Sequence, residues 1–279
     1  MMNIKVLIDN KNNLANDFQN EHGLAIYFEI NKLKYLFDTG QSVKFIENAT
    51  ILNVDIGDID YVFISHGHFD HINGLKFFLE KNKKAKIIIS DNLFSNSYHS
   101  YRRGGKNNVG INFIIDEFDK ERFISLKNDF CLNENIFVLT KISKKYSLPK
   151  ANQFIFKENS TVEILDDFNH EIIVCIIENE NITVFTGCAH NGILNILSSV
   201  EEIYPSKKIK TVFGGFHLID SDNFNYETDN EIEFIAKTLQ QKYSETIFYT
   251  GHCTGINVFK MMKNYLHNNL NNFYTGMGI

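Results

Sequence analysis

The stretch ISHGHFDHINGL, residues 64–75, places four ionisable side chains on one short turn. They are His66, His68, Asp70 and His71. The apolar run YVFIS precedes them, and Leu75, Phe78 and Leu79 follow at helical spacing, so the sequence predicts a loop that joins a strand to a helix. Imidazole nitrogens and carboxylate oxygens are ligands of zinc, iron and manganese. Packing or solvation rarely requires so many such groups together, so the stretch predicts a metal site.

The spacing within the stretch predicts how its donors are shared. Alternation along an extended loop can aim His66 and His68 at one point, while the turn into the helix can aim Asp70 and His71 at a second. We therefore expect two divalent transition-metal ions, with zinc preferred and iron or manganese as alternatives.

Composition limits the classes of partner. The chain has 279 residues, 43% of them hydrophobic, and a net charge of -6, which disfavours a nucleic-acid partner. Its start, MMNIKVLIDN, reaches charged and amide residues too early for a signal-peptide core, and no apolar run approaches the ~20 residues of a membrane helix. We expect a cytoplasmic protein that acts on a small molecule without a membrane partner. Its widely spaced cysteines are expected to be free thiols.

Strand-like and helix-like segments alternate along the chain. Apolar runs rich in β-branched and aromatic residues occur at 5–9, 24–30, 34–38, 61–65, 86–90, 136–139, 171–177, 182–186, 210–214 and 246–250. Hairpin turns are predicted near Asn31 and across 178–181, and helices after Ile193, after Thr228 and around Val258. This order predicts an α/β sandwich with mixed sheets in a single domain, 1–279, carrying an insertion or cap at about 91–160.

The motif HGHFDH (66–71) is identical to the HxHxDH signature of the metallo-β-lactamase fold superfamily, which the whole chain resembles. YLFDTG (35–40), VFTGCAH (184–190) and FYTGHCTG (248–255) resemble its other strand ends. The resemblance implies a four-layer αβ/βα sandwich, with two mixed β-sheets between helical layers and a metal site at one edge.

Longer stretches resemble one branch of that superfamily. They are EHGLAIYFE (21–29), TGCAHNGILN (186–195), GGFHL (214–218) and TGHCTG (250–255). The branch is named after a dihydropterin ribofuranosylaminobenzene phosphate synthase. A branch can host several chemistries, so the function has to be argued from the site.

The resemblance implies how the ligands divide. His66 and His68 are expected on metal 1, and Asp70, His71 and His252 on metal 2. For a third ligand of metal 1, we prefer His190 to His170, which is otherwise expected to be a solvated loop histidine.

Cys188 stands where many members have an aspartate that bridges the metals. A thiolate there would also bind zinc; the alternative is that Cys188 is a small buried residue beside a weak second site.

Three further residues are assigned roles near the metals. Asp38 is expected to accept a hydrogen bond from a ligand imidazole, which would fix that ring's tautomer and angle. Asp70 is also a candidate to guide the nucleophile's proton. His217 is expected to orient substrate, act as an acid or bind metal, with a core histidine as the alternative. His22, His99 and His267 are assigned no role.

The expected reaction is hydrolysis of a small, anionic substrate by a metal-bound water or hydroxide. Arg102, Arg103 and Lys106, in SYRRGGKNN, are candidate ligands for its phosphate or carboxylate; the alternative is a solvated basic loop. One alternative function is a synthase or transferase that releases phosphate or pyrophosphate from a pterin-like substrate. Another is a non-catalytic, metal-containing ligand sensor. An iron redox enzyme is disfavoured because the diiron branch usually has Glu where this chain has His68.

Overall fold

The strands of the chain are short. The computed structural model describes residues 2–12, 17–114, 120–160, 162–219 and 226–279. Its strands are β1 (Asn3–Ile8), β2 (Ala25–Ile30), β3 (Leu33–Phe37), β4 (Tyr61–Phe63), β5 (Lys86–Ser90), β6 (Ser97–Ser100), β7 (Asn107–Asn108), β8 (Phe123–Leu126), β9 (Phe130–Asn133), β10 (Ile136–Leu139), β11 (Ile155–Glu158), β12 (Glu163–Leu165), β13 (Ile173–Glu178), β14 (Asn181–Phe185), β15 (Lys208–Phe213), β16 (Ile247–Thr250) and β17 (Leu270–Asn272).

Helices lie between many of these strands. They are α1 (Lys44–Ile51), α2 (Phe69–Ile72), α3 (Leu75–Lys81), α4 (Ile193–Ile203), α5 (Asp229–Lys242) and α6 (Ile256–Leu266). Short 3₁₀ turns occupy Ile56–Asp58, Lys120–Arg122, Lys150–Phe154 and His267–Asn269. Within the described part of the chain, no helix has the length and apolar character needed to cross a membrane.

The chain forms two compact units, which are described separately. The first comprises Met1–Lys127, Phe156–Asp166 and Phe273–Ile279, and the second comprises Asn128–Ile155 and Asp167–Asn272. The predicted insertion at 91–160 contributes to both units, and its residues 115–119 lie outside the described residues. The assignment of the whole chain to a single domain stays a prediction.

The first unit is built on a six-stranded mixed sheet. Its order is β1-β2-β3-β4-β5-β8, antiparallel from β1 to β3 and parallel from β3 to β8. The β2–β3 hairpin turns at Asn31 and Lys32, both with positive φ. Because β3 and β4 are parallel, with Phe37 opposite Phe63, the chain leaves both strands at the same edge.

The second unit repeats this arrangement on a seven-stranded mixed sheet. Its order is β17-β16-β15-β14-β13-β10-β9, parallel from β14 to β17 and antiparallel from β14 to β9. Phe185, Phe213 and Tyr249 are aligned at the carboxyl ends of β14, β15 and β16. The segments that follow these strands, 186–190, 214–217 and 251–253, therefore start at one edge.

Each unit has its own apolar core. In the first unit, α3 buries Leu75, Phe78 and Leu79 against the sheet, the face that the helical spacing predicts. In the second, α4 is buried from Ile193 to Val200 and packs in one cluster with α5 and α6. Full burial of one such side chain contributes about 1.5–3 kcal/mol, so these helices are held mainly by packing.

The observed elements confirm the predicted mixed α/β fold with two mixed sheets; a third, four-stranded sheet of order β12-β11-β6-β7 is not predicted. Every predicted apolar run contains a strand, and both predicted hairpin turns are present. Short strands such as β6, β7 and β12 are not predicted because they carry little apolar alternation. The segment after β4 also differs from the predicted loop, since Asp70 and His71 lie on the four-residue helix α2.

The start of α5 carries the predicted capping box. The Thr228 hydroxyl accepts a hydrogen bond from the Glu231 amide, and the Glu231 carboxylate accepts one from the Thr228 amide at 2.8 Å. Lys150 Nζ lies 2.6 Å from Glu231 Oε2. The hydrogen bond from Lys150 and those from Thr228 lower the pKa of Glu231 from 4.5 to about 2.

This cap predicts a pH-dependent contribution to stability. A depressed carboxyl pKa stabilises the folded state above the unfolded pKa, and that contribution disappears as the pH falls through the folded pKa. We expect Glu231→Gln to lower the free energy of unfolding by roughly 0.2–1 kcal/mol at neutral pH, since the pair is solvent-screened. The difference should vanish as the pH falls from 4.5 toward about 2.

Urea denaturation of both proteins across that pH range measures the effect. Glu80→Gln, at an exposed position of α3, is the control for loss of a negative charge. A difference between Glu231→Gln and the parent chain that stays constant with pH would contradict the assignment.

Candidate metal centre

The donors of the opening stretch form a buried group in the first unit. His66, His68, Asp70 and His71 are each at most 5% exposed. The ring centroids of His66 and His68 lie 4.6 Å apart, and those of His66 and His71 lie 4.1 Å apart. His71 Nε2 is 3.5 Å from Asp70 Oδ2. The four donors therefore lie close together, and their division between two metals stays a prediction.

Asp38 holds the imidazoles of this group. Its Oδ2 lies 2.6 Å from His71 Nδ1, and both the amide and the hydroxyl of Ser65 donate to its carboxylate at 2.7 Å. The Ser65 hydroxyl is in turn 2.8 Å from His66 Nδ1. A carboxylate at Nδ1 favours the tautomer protonated there, which directs the Nε2 lone pair toward a ligand. Asp38 thus makes the contact expected of it.

Backbone contacts fix the position of α2. The amide and hydroxyl of Thr39 donate to the carbonyl of His71, at 2.8 and 3.0 Å. A Cβ atom on Gly74 would collide with the carbonyl oxygen of Thr39. Gly74 is therefore required for the close approach that places the donors beside Asp38.

His22 also belongs to this group, although the sequence analysis assigns it no role. Its Nε2 lies 3.2 Å from Asp70 Oδ2, and its side chain is 49% exposed. The signal was available, because His22 lies in the stretch EHGLAIYFE that carries the branch resemblance. No pattern within HGHFDH points to it.

The second unit contains its own group of donors at the edge where β14, β15 and β16 end. The ligand atoms of Cys188, His190 and His217 lie within 4.8 Å of one another, as do those of Cys188, His252 and Cys253. All are buried except His252, which is partly exposed. Cys188 is therefore buried and also lies among candidate ligands, so both alternatives for this residue remain. Cys253 is not predicted, although it directly follows His252.

His190 is held on several sides. Asn152 Oδ1 lies 3.1 Å from His190 Nδ1, and the side-chain amide of Asn152 donates a hydrogen bond to the backbone carbonyl of His190 at 2.8 Å. Its backbone amide donates to Glu171 Oε1 at 2.8 Å, and its ring stacks on Phe168 at 4.3 Å. Burial raises the pKa of the Glu171 carboxyl, although hydrogen bonds from Asn191 and His190 oppose that shift. Neither Asn152 nor Glu171 is predicted from the sequence.

His170 has a different environment from the expected one. It is fully buried, so the interpretation as a solvated loop histidine is wrong. Its ring centroid is 6.0 Å from that of Phe168, and it follows Phe168 on the strand-connecting segment that also carries Glu171. The neighbouring Glu171 accepts hydrogen bonds from the backbone amides of His190 and Asn191.

The two thiols are adjacent. Cys188 and Cys253 are both reduced, and the Cys253 thiol donates to the carbonyl of Cys188 at 3.6 Å. Burial by itself would raise the pKa of Cys253, but its interactions with Cys188, His217 and His252 lower that pKa well below its ordinary value. A thiol whose pKa is lowered is a better metal ligand, because metals bind the thiolate.

His217 provides a test of whether the donors suit a metal. It is 4% exposed, has a φ of 50°, and lies with its ring centroid 4.0 Å from that of His190. Neither ring nitrogen makes a hydrogen bond to a nitrogen or oxygen of the described residues. Burying an imidazole this way costs free energy that a bound ion or ligand would offset. Imidazoles and thiols together suit zinc, so the group fits a divalent transition metal.

The three basic residues predicted to bind substrate differ in environment. Lys106 Nζ lies 2.6 Å from Glu158 Oε2 and 3.4 Å from Glu163 Oε1, so its charge is already paired. Arg103 is exposed and Arg102 is partly exposed. The arginines are therefore better placed than Lys106 to meet an anion from solvent.

The chain is similar in sequence to a known family and to two curated proteins. A family model described as the metallo-beta-lactamase superfamily matches residues 20–190, more than half of the chain. The 7,8-dihydropterin-6-methyl-4-(beta-D-ribofuranosyl)-aminobenzene-5'-phosphate synthase of Methanocaldococcus jannaschii is 28% identical, over 88% of this chain and 84% of its own. An uncharacterized protein of the same organism is 28% identical over 98% of this chain and 96% of its own.

Two solved structures are similar to the structure of this chain. The crystal structure of Tm1679, a metal-dependent hydrolase of the beta-lactamase superfamily, matches with a TM-score of 0.84 and 27% identity, covering 100% of this chain and 98% of that one. YhfI from Bacillus subtilis, a metallo-beta-lactamase fold protein, matches with a TM-score of 0.52 and 13% identity, covering 100% and 99%. The second similarity concerns the fold alone.

The contacts of Asp38 predict an effect on metal affinity. Asp38→Asn keeps the size of the side chain but removes the carboxylate that orients His71. We expect affinity for zinc to fall about 10–100-fold, as is typical when a hydrogen-bond partner of a ligand is lost. Competition with a chromogenic chelator measures it, with exposed Asp91→Asn as the control. Equal affinities in the two variants would show that Asp38 has a purely structural role.

Proposed function

Because this chain belongs to the metallo-beta-lactamase superfamily, we propose that it is a metal-dependent hydrolase of a small, anionic substrate. The observation that carries the proposal is the set of buried imidazole, carboxylate and thiol donors at the carboxyl ends of parallel strands in each unit. Such groups are costly to bury without a ligand, and their chemistry is that of a transition-metal site.

We propose that donors in both units hold metal ions, two per chain, with zinc preferred. They are His66, His68, Asp70 and His71 in the first unit, and Cys188, His190 and His252 in the second. His217, grouped with Cys188 and His190, and Cys253, grouped with Cys188 and His252, are further candidates. When bound, such ions lower the pKa of water and polarise the bond to be cleaved.

The protein's own groups supply a path for the proton. Asp70 Oδ2 lies 3.2 Å from His22 Nε2, and the His22 side chain is about half exposed. A proton that Asp70 accepts from the nucleophile can therefore pass to His22 and then to solvent. We propose that His217, buried beside His190, orients the substrate or donates a proton to the leaving group.

The similarity to the dihydropterin ribofuranosylaminobenzene phosphate synthase supports a second candidate function. In that case the same donors would stabilise a departing phosphate or pyrophosphate while a second substrate is attached. The two candidates differ in one requirement: a hydrolase needs water and one substrate, whereas a synthase releases phosphate only when its second substrate is present.

The proposal predicts metal-dependent turnover. Protein purified without chelators should contain up to two transition-metal ions per chain by elemental analysis. A panel of phosphodiesters, thioesters and lactones should include a substrate whose hydrolysis stops on chelation and resumes on re-addition of zinc, iron or manganese. His66→Ala should reduce both metal content and turnover.

His99→Ala, which removes a histidine from β6, is the matched control and should leave metal content unchanged. A chain that takes up no transition metal after reconstitution would overturn the proposal. Phosphate release that appears only after a second substrate is added would instead support the synthase.

The exposed arginines predict selectivity for charge. An arginine–phosphate contact contributes about 1.5–3 kcal/mol, so its loss should weaken binding roughly tenfold or more. Arg103→Ala should therefore raise KM for an anionic substrate while metal content stays constant, and should affect a neutral analogue of similar shape much less.

Steady-state kinetics on the charged and neutral pair measures this selectivity. Lys81→Ala, which removes a positive charge from the exposed end of α3, is the control for general electrostatics. Equal losses on both substrates would mean that Arg103 acts through the shape of its loop, and no loss on either would make it a solvated surface residue.

A further inference from the structure

Cys188 and Cys253 bring two sulfur atoms together at the strand edge of the second unit. Both cysteines are reduced, and they are buried, with 4% and 6% of their surfaces exposed. The two sulfurs and a ring nitrogen of His252 all lie within 4.8 Å of one another. The Cys253 thiol donates a hydrogen bond to the carbonyl of Cys188 at 3.6 Å. Two thiols this close can react with each other as well as with a metal.

A glycine makes room for this pairing. A Cβ atom on Gly215 would lie 2.3 Å from Cys253 Sγ, so glycine is required for the thiol to pack there. The amide of Gly215 donates to the carbonyl of Gly187, the residue before Cys188, at 2.8 Å. The Cys253 thiol therefore lies over a backbone that is tied to the segment carrying Cys188.

Hydrogen bonds also hold the segment that carries Cys253. The amide of Thr254 donates to the carbonyl of Gly251 at 2.9 Å, and the amide of Phe216 donates to the Thr254 hydroxyl at 3.1 Å. Because the backbone on both sides is held, each sulfur stays at a high effective concentration beside the other. A disulfide joins sulfurs about 2 Å apart. A change of one staggered rotamer moves a thiol sulfur far enough to close most of the remaining distance.

We propose that Cys188 and Cys253 form an oxidative modification site, at which a hydroperoxide converts the two thiols into a disulfide. One sulfur attacks an oxygen of the peroxide, the O–O bond breaks, and the other oxygen leaves as water or an alcohol with the thiol proton. The second sulfur then attacks the resulting sulfenic acid. The S–S bond forms, the S–O bond breaks, and the hydroxyl leaves as water with the second thiol proton. The two thiols thus lose two electrons, which the peroxide gains.

The disulfide changes the donors available at this edge. Metals bind the thiolate, so cross-linking removes both sulfurs as ligands and leaves the imidazoles of His190, His217 and His252. This consequence rests on the proposed function, in which the group holds a metal, whereas formation of the disulfide does not. Thiols reduce disulfides by exchange, so the loss of donors is reversible.

Hydrogen peroxide is the probe, added to the full chain in its metal-free form. Thiols titrated after denaturation should fall from four to two per chain. Peptide mapping should recover Cys188 and Cys253 as one cross-linked pair, and dithiothreitol should restore all four thiols. A cross-link between other cysteines, oxidation to sulfinic acid without a cross-link, or no loss of thiols would each overturn the proposal.

The other two cysteines provide matched controls. Cys131→Ser removes the exposed thiol and Cys175→Ser removes a buried one, and both variants should keep the cross-link. Loss of the cross-link in Cys131→Ser would mean that the exposed thiol mediates the reaction and would overturn the proposal. Cys188→Ser should abolish the cross-link, with circular dichroism to check that the variant is folded. If it is not folded, peptide mapping of the parent chain still decides.

Zinc affinity, measured by competition with a chromogenic chelator, tests the consequence for the metal. The oxidised chain should bind zinc at the second-unit group at least about 10–100-fold more weakly, since loss of a ligand's hydrogen-bond partner alone has that effect. Reduction should restore the affinity. Zinc added before the peroxide should slow cross-linking, because each sulfur is then held on the metal.

These outcomes are distinct from a failure of the proposed function. If the cross-link forms but zinc neither slows it nor binds less tightly afterwards, the modification site stands and its link to a metal falls. If metal-dependent hydrolysis is found but peroxide never joins Cys188 to Cys253, the inference is wrong and the hydrolase remains.

Discussion

The parallel alignment of neighbouring strands is the constraint on which the rest of the structure depends. In the first unit, β3 and β4 run in parallel, so Asp38 and Ser65 leave the sheet at one edge and meet at 2.7 Å. In the second, β14, β15 and β16 do the same for the segments that carry Cys188, His217 and His252. Distant pieces of sequence thus become neighbours because parallel strands share a carboxyl edge.

Several donors at these edges are held in unfavourable local states. Asp38, His217 and His252 have φ values of 58°, 50° and 51°, a region that residues other than glycine seldom adopt. His217 is also buried, and neither of its ring nitrogens makes a hydrogen bond to a nitrogen or oxygen of the described residues. Such features persist where the surrounding contacts determine them, as the Ser65 hydrogen bonds do for Asp38. The strain therefore marks positions where a precise side-chain direction matters more than local stability.

Two buried glutamates in the second unit differ in how their carboxylate oxygens are satisfied. Glu171 accepts hydrogen bonds from the amides of His190 and Asn191 and from the Asn191 side chain, and so fixes the segment that presents His190. Glu227 accepts a hydrogen bond from the Lys150 backbone amide with Oε1, whereas its Oε2 is buried without a hydrogen-bond partner in the described part of the chain. Burial raises the pKa of both carboxyls, but only in Glu171 are both oxygens satisfied within the described chain.

The sequence by itself determined the strands that are apolar runs, the helices α3 to α6 and the donors that lie close together along the chain. Apolar runs rich in β-branched and aromatic residues marked β2 and β4, the capping box marked α5, and HGHFDH marked the donors of the first unit. These signals depend on residues only a few positions apart. The tertiary structure decided which residues distant in sequence contact these donors. No local pattern encodes the contacts of His22 with Asp70, of Asn152 and Glu171 with His190, and of Cys253 with Cys188. The partners in these contacts lie between 19 and 65 residues apart in sequence. They arise from sheet order and strand direction, which are settled when the whole chain packs.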